Sequence, residues 1–241
     1  MSQIIKYVTF PALEHASPDG LLAMGGELDK DTLVSAYAQG VFPWFNNDQP
    51  VLWWSPDPRL VLYPNEFKLS KSLRKRLRKP NYSVSINQHF EDVIHACATR
   101  GAASARAAQE QTWISLEMQQ AYTELHHHNY AHSIEVSADG KLIGGLYGIA
   151  LGHVFFGESM FSRHTDASKI ALFALCKWLQ HKEFQLIDCQ VASDHLFSLG
   201  AREISRNSFI ESLANIPYTQ TDTNFNQGFE QYWSENVINK L

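Results

Sequence analysis

Cysteine is scarce in this sequence, and its placement excludes several chemistries. Cys97, Cys176 and Cys189 are odd in number, widely spaced and form no CxxC pair. Neither a disulfide framework nor a cysteine zinc site is expected, and a reducing cytoplasm is the compartment that fits. The start, Met1-Ser2-Gln3-Ile4-Ile5-Lys6-Tyr7, lacks the basic, apolar and small-residue stretches of a secretory signal. Long hydrophobic runs are missing as well. Leu142–Gly157 is uncharged but carries five glycines and a histidine, and it falls short of the roughly 20 apolar residues that span a bilayer. No Ser-His-Asp, Walker or HExxH signature is present. His126-His127-His128 is the one cluster that suggests a metal. Consecutive side chains on a helix diverge, and Asn129-Tyr130 should end the helix before His132 is reached, so no metal site is expected.

Acidic residues are absent from Phe67 to Phe90, where seven Lys/Arg fall. The rest of the chain then holds 13 basic against 25 acidic residues. One basic patch on an acidic body implies a confined, directed phosphate contact rather than general affinity for nucleic acid. Most of the patch lies in Leu69–Lys79, where Leu69, Leu73 and Leu77 form a narrow helical stripe and Pro80 stops the helix. Same-sign neighbours on a helix repel. With Lys71, Arg74, Lys75, Arg76, Arg78 and Lys79 filling the other faces, this pattern favours a polyanion partner over a merely solvated face.

Aromatics are abundant where the charge is not. Phe42-Pro43-Trp44-Phe45 is followed by Val51-Leu52-Trp53-Trp54-Ser55-Pro56-Asp57-Pro58-Arg59, which places three tryptophans within eleven residues. Two adjacent indoles on an extended strand face opposite ways, and the prolines stiffen the turn that follows. The segment reads either as a packed core corner or as a rigid platform on which a base stacks.

At 241 residues, 44% hydrophobic and 19% charged, the chain suits one large domain or two modest ones. The expected division is a small N-terminal domain over 1–64, ending at Tyr63-Pro64-Asn65, and a larger one over 65–241. Helices are expected over Asp31–Gln39, Gln88–Arg100, Ser115–His128, Asp166–Lys182, Asp194–Leu199 and Asn207–Leu213, and a strand over Ser83–Asn87. Ala102–Gln111 reads as a small, polar, mobile loop, and the tail from Tyr218 as polar and uninformative. Ser133–Val136, Leu142–Leu151 and His153–Phe161 alternate between turn signals as a three-stranded antiparallel meander. The last of these, the long helix and Gln185–Val191 form a strand–helix–strand unit, which predicts a parallel pair. On that pair Glu158 should share a face with Phe156 and Met160, and Asp188 with Gln190. Polar groups at mid-strand are costly to bury unless they are paired or functional. They read either as a supporting hydrogen-bond network or as a reaction centre.

This order of elements matches an α+β fold in which the larger domain is acetyltransferase-like (GNAT-type) with a mixed sheet. An acyl-CoA enzyme of that fold needs a glycine-rich pyrophosphate loop at a helix start; Phe161–Lys169 contains no glycine. Longer motifs narrow the reading. Gly20–Gly26, Gly40–Trp44, Trp53–Arg59, Thr112-Trp113-Ile114, Ala131–Glu135, Gly144–Gly148, Phe156–Ser162, Ala167–Lys169, Asp188-Cys189-Gln190 and His195–Gly200 together resemble the leucyl/phenylalanyl-tRNA–protein transferase family, from about residue 8 to 214. The resemblance implies transfer of Leu or Phe, with Met as a further candidate, from aminoacyl-tRNA to protein N-termini beginning with Arg or Lys, which marks them for degradation. It implies no cofactor, because the aminoacyl ester is already activated. By the resemblance, Gln190 and Asp188 orient the attacking amine and help its proton leave, and Glu158 serves the peptide end or anchors Gln190. Trp53 and Trp113 contact the terminal adenosine, Arg74, Arg76, Arg78 and Lys79 hold acceptor-stem phosphates, and Met160, Leu172 and Ile187 are candidates for the aminoacyl pocket, each of them singly readable as ordinary core. A monomer is expected. The rival functions are an acyl-CoA-dependent N-acetyltransferase and a non-catalytic binder of basic protein N-termini.

Overall fold

The computed structural model describes residues 5–79, 81–100, 112–214 and 224–240. Its centre is a seven-stranded mixed sheet in the order β10-β4-β9-β8-β7-β6-β5. The meander expected from sequence is present as β6 (Ala131–Ala138), β7 (Lys141–Leu151) and β8 (Val154–Ser162), all antiparallel, with β5 (Ser83–Ile86) at one edge. Alternating apolar residues and tight turns at Asp139-Gly140 and Gly152 produce this part. Helix α5 (Ala167–His181) then carries the chain to β9 (Leu186–Gln190), which pairs with β8 in parallel as expected and is followed by the short helix α6 (Asp194–Ser198).

The other half of the sheet was not foreseen. β4 (Arg59–Leu62) and β10 (Arg202–Ile204) extend it beyond β9, both antiparallel. β4 thus lies on the N-terminal side of residue 64 yet pairs within the large sheet. Before it, β1 (Leu21–Met24), β2 (Phe42–Pro43) and β3 (Leu52–Trp54) make a separate three-stranded sheet in the order β1-β3-β2. Between β1 and β2 runs α1 (Lys30–Ala38), started by Asp29, whose carboxylate accepts the backbone N–H groups of Asp31 and Thr32.

The sheet is covered on both faces. One cluster joins the N-terminal module to α3 (Phe90–Ala98), α4 (Leu116–His127) and α7 (Arg206–Leu213) through buried residues such as Tyr37, Phe42, Phe90, Tyr122, Phe156 and Phe209. The opposite cluster holds α5, the short basic helix α2 (Lys71–Leu77) and the C-terminal segment around α8 (Phe229–Tyr232). The reading of the tail as uninformative needs correction. Phe225, Phe229, Trp233 and Val237 are buried, and Trp178 Nε1 donates to Phe225 O at 2.7 Å. Four apolar residues spaced by four make a stripe that polar neighbours obscure in the sequence. The Ala102–Gln111 loop and the Pro80 helix stop lie outside the described residues.

Candidate active site

Two irregularities in neighbouring strands build the site. β7 and β8 pair Tyr147 with Ser159 and Gly148 with Gly157, which leaves Glu158 unopposed. β4 and β9 pair Leu60 with Gln190 and Val61 with Asp188, which leaves Cys189 unopposed. Each is a bulge, and a bulge re-aims the side chains beyond it. Gly148 makes the first possible, since a Cβ there would lie 2.2 Å from Phe156 O. The face expected for Glu158 is therefore only half right. Phe156 and Phe161 pack in one cluster, while Phe155 and Met160 pack towards the other, because the extra residue inverts the alternation. Pairing between β8 and β9 stops at Phe156 and Asp188, although β8 continues to Ser162. Where the strands part, a cavity of about 120 Å³ opens.

Leu146, Met160, Leu172, Leu175, Ile187 and Leu196 give the cavity its apolar lining, and Glu158 and Gln190 bring polar groups to it. The structure thus gathers Met160, Leu172 and Ile187 around one space beside two of the three expected polar residues. Glu158 Oε1 accepts from Tyr37 Oη at 2.7 Å and from Gln190 Nε2 at 2.8 Å, and its Oε2 accepts from Tyr122 Oη at 3.0 Å. The two tyrosine hydroxyls also touch each other. Burial pushes the Glu158 carboxyl up to about 7; the bonds from Tyr37, Tyr122 and Gln190 oppose the shift, and the Asp188 charge adds to it. Burial likewise pushes Tyr37 and Tyr122 well up, so both remain protonated donors.

Asp188 sits differently from its expected role. It is fully buried and does not line the cavity. Arg59 grips it with two bonds, Nε to Oδ1 at 2.8 Å and Nη2 to Oδ2 at 2.7 Å. Oδ1 also accepts the Gln190 backbone N–H at 2.9 Å. Gln190 itself has a φ of 65°, the left-handed region that non-glycine residues seldom occupy. Its Oε1 makes no hydrogen bond among the described residues and remains an acceptor.

The aromatic segment divides along β3 as alternation requires. Trp53 is only 2% exposed; its Nε1 donates to Gly25 O at 2.8 Å, and its ring meets Phe10 at a 4.9 Å centroid distance. As placed, it offers no open face to a base. Trp44, at the end of β2, is 43% exposed. Trp54 beside it donates Nε1 to Trp44 O at 2.6 Å, with ring centroids 5.9 Å apart. Phe45 and Thr112, the sequence neighbours of Trp44 and Trp113, line a common cavity of about 400 Å³ together with Asn47, Gln49, Ser115 and Gln119.

On α2, Leu73 and Leu77 are buried, while Arg74, Lys75, Arg78 and Lys79 face solvent. Arg76 is partly buried and donates to Asn81 Oδ1 at 3.2 Å. Arg74 borders a groove of about 560 Å³ that is also lined by Lys177 of α5. The histidine run does not converge. His126 stacks on Phe90 at 4.2 Å, and His128 lies 3.9 Å from Glu124. Among the described residues no group of three or more His, Cys, Asp or Glu side chains could hold a metal ion.

Comparison with known proteins bears on what this arrangement serves. A profile of the leucyl/phenylalanyl-tRNA protein transferase matches residues 61–214, and a profile of the N-terminal domain of that transferase matches residues 26–57. The chain belongs to this family. It is 53% identical over 209 residues to the leucyl/phenylalanyl-tRNA--protein transferase of Pseudomonas fluorescens, covering 86% of this chain and 90% of the relative. It is 57% identical over 208 residues to that of Chromohalobacter salexigens, covering 86% and 79%. Among solved structures, a GCN5-related N-acetyltransferase from Kribbella flavida aligns with a TM-score of 0.34 at 12% identity, covering 69% of this chain and 57% of that one.

Within this transferase chain, three residues beside the expected ones were missed. Tyr37 reads in sequence as the core face of a short helix, and Tyr122 as an ordinary helical aromatic. Only the fold brings both to Glu158. Arg59 had a signal: it is the charged end of the Trp53–Arg59 motif, immediately before the apolar run Leu60-Val61-Leu62, and a cation so placed needs a buried partner. Glu135, a motif residue, is also buried, but Ser85 and Ser133 hydroxyls close it off, and it is not part of the cavity lining.

Proposed function

We propose that this chain transfers Leu or Phe, with Met as a further donor, from aminoacyl-tRNA to the N-terminal α-amine of proteins that begin with Arg or Lys, marking them for degradation. The observation that carries this reading is one apolar cavity bordered by Met160, Leu172 and Ile187, with the Glu158–Gln190 pair at its edge. A small apolar side chain fits such a space, and the reacting ester carbonyl would lie beside the polar pair. The α-amine attacks that carbonyl carbon. A C–N bond forms, the ester C–O bond breaks, and the terminal ribose hydroxyl of the tRNA leaves. The amine, with a pKa of about 7.7–8.0, is partly neutral at pH 7, so the protein's task is largely to orient the reactants. Gln190 Oε1 accepts from the amine. Glu158, poised near 7, takes up the proton that the attacking nitrogen sheds and returns it to the departing ribose oxygen.

Trp44, with Trp113, contacts the terminal adenosine in place of Trp53, which is packed away. Arg74, Arg76, Arg78 and Lys79 hold acceptor-stem phosphates. The 1–64 portion thus supplies Trp44 and the Tyr37 hydroxyl that meets Glu158, and the 65–241 portion supplies Trp113 and the reacting pair. The protein acts as a cytoplasmic monomer; among the described residues no helix is long and apolar enough to cross a membrane. The test is transfer of label from Leu-tRNA to a short peptide beginning with Arg, with an Ala-initial peptide as control. Label on the Arg peptide alone is the expected result; label on neither removes the reading.

A further inference from the structure

We propose that Arg59 is a positioning residue for the transfer reaction, acting on Gln190 through Asp188. This rests on the reading of Glu158 and Gln190 as the reacting pair. Arg59 is 1% exposed and does not line the cavity, so it cannot touch substrate there. Every polar edge of its guanidinium has a protein partner. Nε and Nη2 hold the two oxygens of Asp188, and Nη1 donates to Gly40 O at 3.3 Å. Two rings pack against it, Phe42 at 4.6 Å and Phe209 at 4.7 Å from Cζ. With its orientation fixed in this way, Arg59 fixes the Asp188 carboxylate.

The fixed carboxylate then acts on the main chain. Asp188 Oδ1 accepts the Gln190 N–H across the bulged Cys189. A non-glycine residue with φ of 65° persists only where its surroundings over-determine it, and this bond is the constraint. Released from it, the Gln190 backbone can relax towards an ordinary strand conformation, and Nε2 leaves Glu158. Asp188 is therefore a counter-ion and backbone anchor rather than a carrier of the substrate's proton. The same arginine touches Gly40 and Phe42, the segment that leads to Trp44. One side chain thus joins the segment that leads to the exposed indole to the strand bearing Gln190.

The experiment compares full-length Arg59→Met, Asp188→Asn and the double variant in the Leu-tRNA transfer assay, with tRNA affinity measured separately. Arg59→Met leaves the carboxylate without its cation, and kcat is expected to fall about 100-fold with tRNA affinity nearly unchanged. In the double variant the side-chain amide oxygen introduced at position 188 still accepts the Gln190 N–H and no charge is stranded, so kcat should return to within about tenfold of the parent. A double variant no better than Arg59→Met overturns the proposal, because the carboxylate would then be needed for its own chemistry. If Arg59→Met does not fold, Arg59→Lys keeps the charge without the two-pronged grip. It should lower kcat, leave the KM for tRNA in place, and shift upward the pH midpoint governed by Glu158, which a purely structural role would not move. An unchanged kcat and midpoint in Arg59→Lys also overturns the proposal. Absence of transfer by the parent protein would instead refute the underlying reading of the site.

Discussion

Glu158 and Asp188 lie on adjacent strands of the same sheet, and their surroundings differ in kind. Asp188 is fully buried and meets, in two-pronged geometry, a cation that packs against two aromatic rings. Glu158 meets only neutral donors, two phenols and an amide, and it borders a cavity. The first arrangement fixes a carboxylate in place. The second leaves a carboxyl near 7 that takes up or releases a proton close to neutral pH. The two carboxylates differ in exposure, Asp188 being closed off and Glu158 only partly buried, and in the charge of their partners.

The sharpest way to break this contrast is at Gln190. Gln190→Ala should lower kcat by about 100-fold or more while leaving tRNA affinity within error, as read by single-turnover transfer at saturating Leu-tRNA. Unchanged turnover would remove it from the mechanism. Next is Glu158→Gln, which keeps the shape and one acceptor oxygen, turns an amide NH2 group to the other tyrosine, and cannot take a proton. The parent's rate should fall as pH drops through about 7, where Glu158 becomes protonated. In the variant this limb should vanish, and the maximum rate should be lower by about tenfold to 100-fold. Stability should move the other way. The folded-state pKa lies above the unfolded value, so the contribution of this group is fully present below about 4.5 and is lost as pH rises through about 7. Glu158→Gln should therefore melt higher than the parent at pH 8, with little difference at pH 4.5.

A second contrast, between Trp44 and Trp53, sharpens the same lesson. Trp44→Ala should weaken aminoacyl-tRNA binding by about tenfold and leave the melting temperature in place. Trp53→Ala should instead cost about 3–5 kcal/mol of stability, measured by denaturant unfolding. The smallest effect expected is on selectivity. Met160→Ala enlarges the cavity and should shift the Phe-to-Leu preference by several-fold, about 1 kcal/mol, as read by competition between the two aminoacyl-tRNAs.

Much of the fold was legible because its signals are local. The meander shows period-two alternation between tight turns, and α5 shows helical spacing followed by a strand, so the parallel β8–β9 pair followed. β4 and β10 were not legible, because their pairing depends on partners distant in sequence. The residue types of the site were legible, since polar letters stood out inside Phe155–Phe161 and Leu186–Gln190. Their division of labour was not. A bulge depends on the register of the opposing strand, so neither the re-aimed Glu158 nor the left-handed Gln190 leaves a mark in the sequence. Tyr37 and Tyr122 reach Glu158 from helices 121 and 36 residues away along the chain. Trp53 and Trp54 illustrate the remaining limit: alternation shows that one faces inward, but not which.

The most direct test of this account is a carboxyl-carbon NMR titration of Glu158 in protein labelled at glutamate, with Glu158→Gln supplying the assignment. A midpoint of about 7 is expected for a carboxyl buried among neutral donors at the cavity edge. A midpoint near the ordinary 4.5 would mean that Glu158 is open to water, and the contrast with Asp188 on which the mechanism rests would fail.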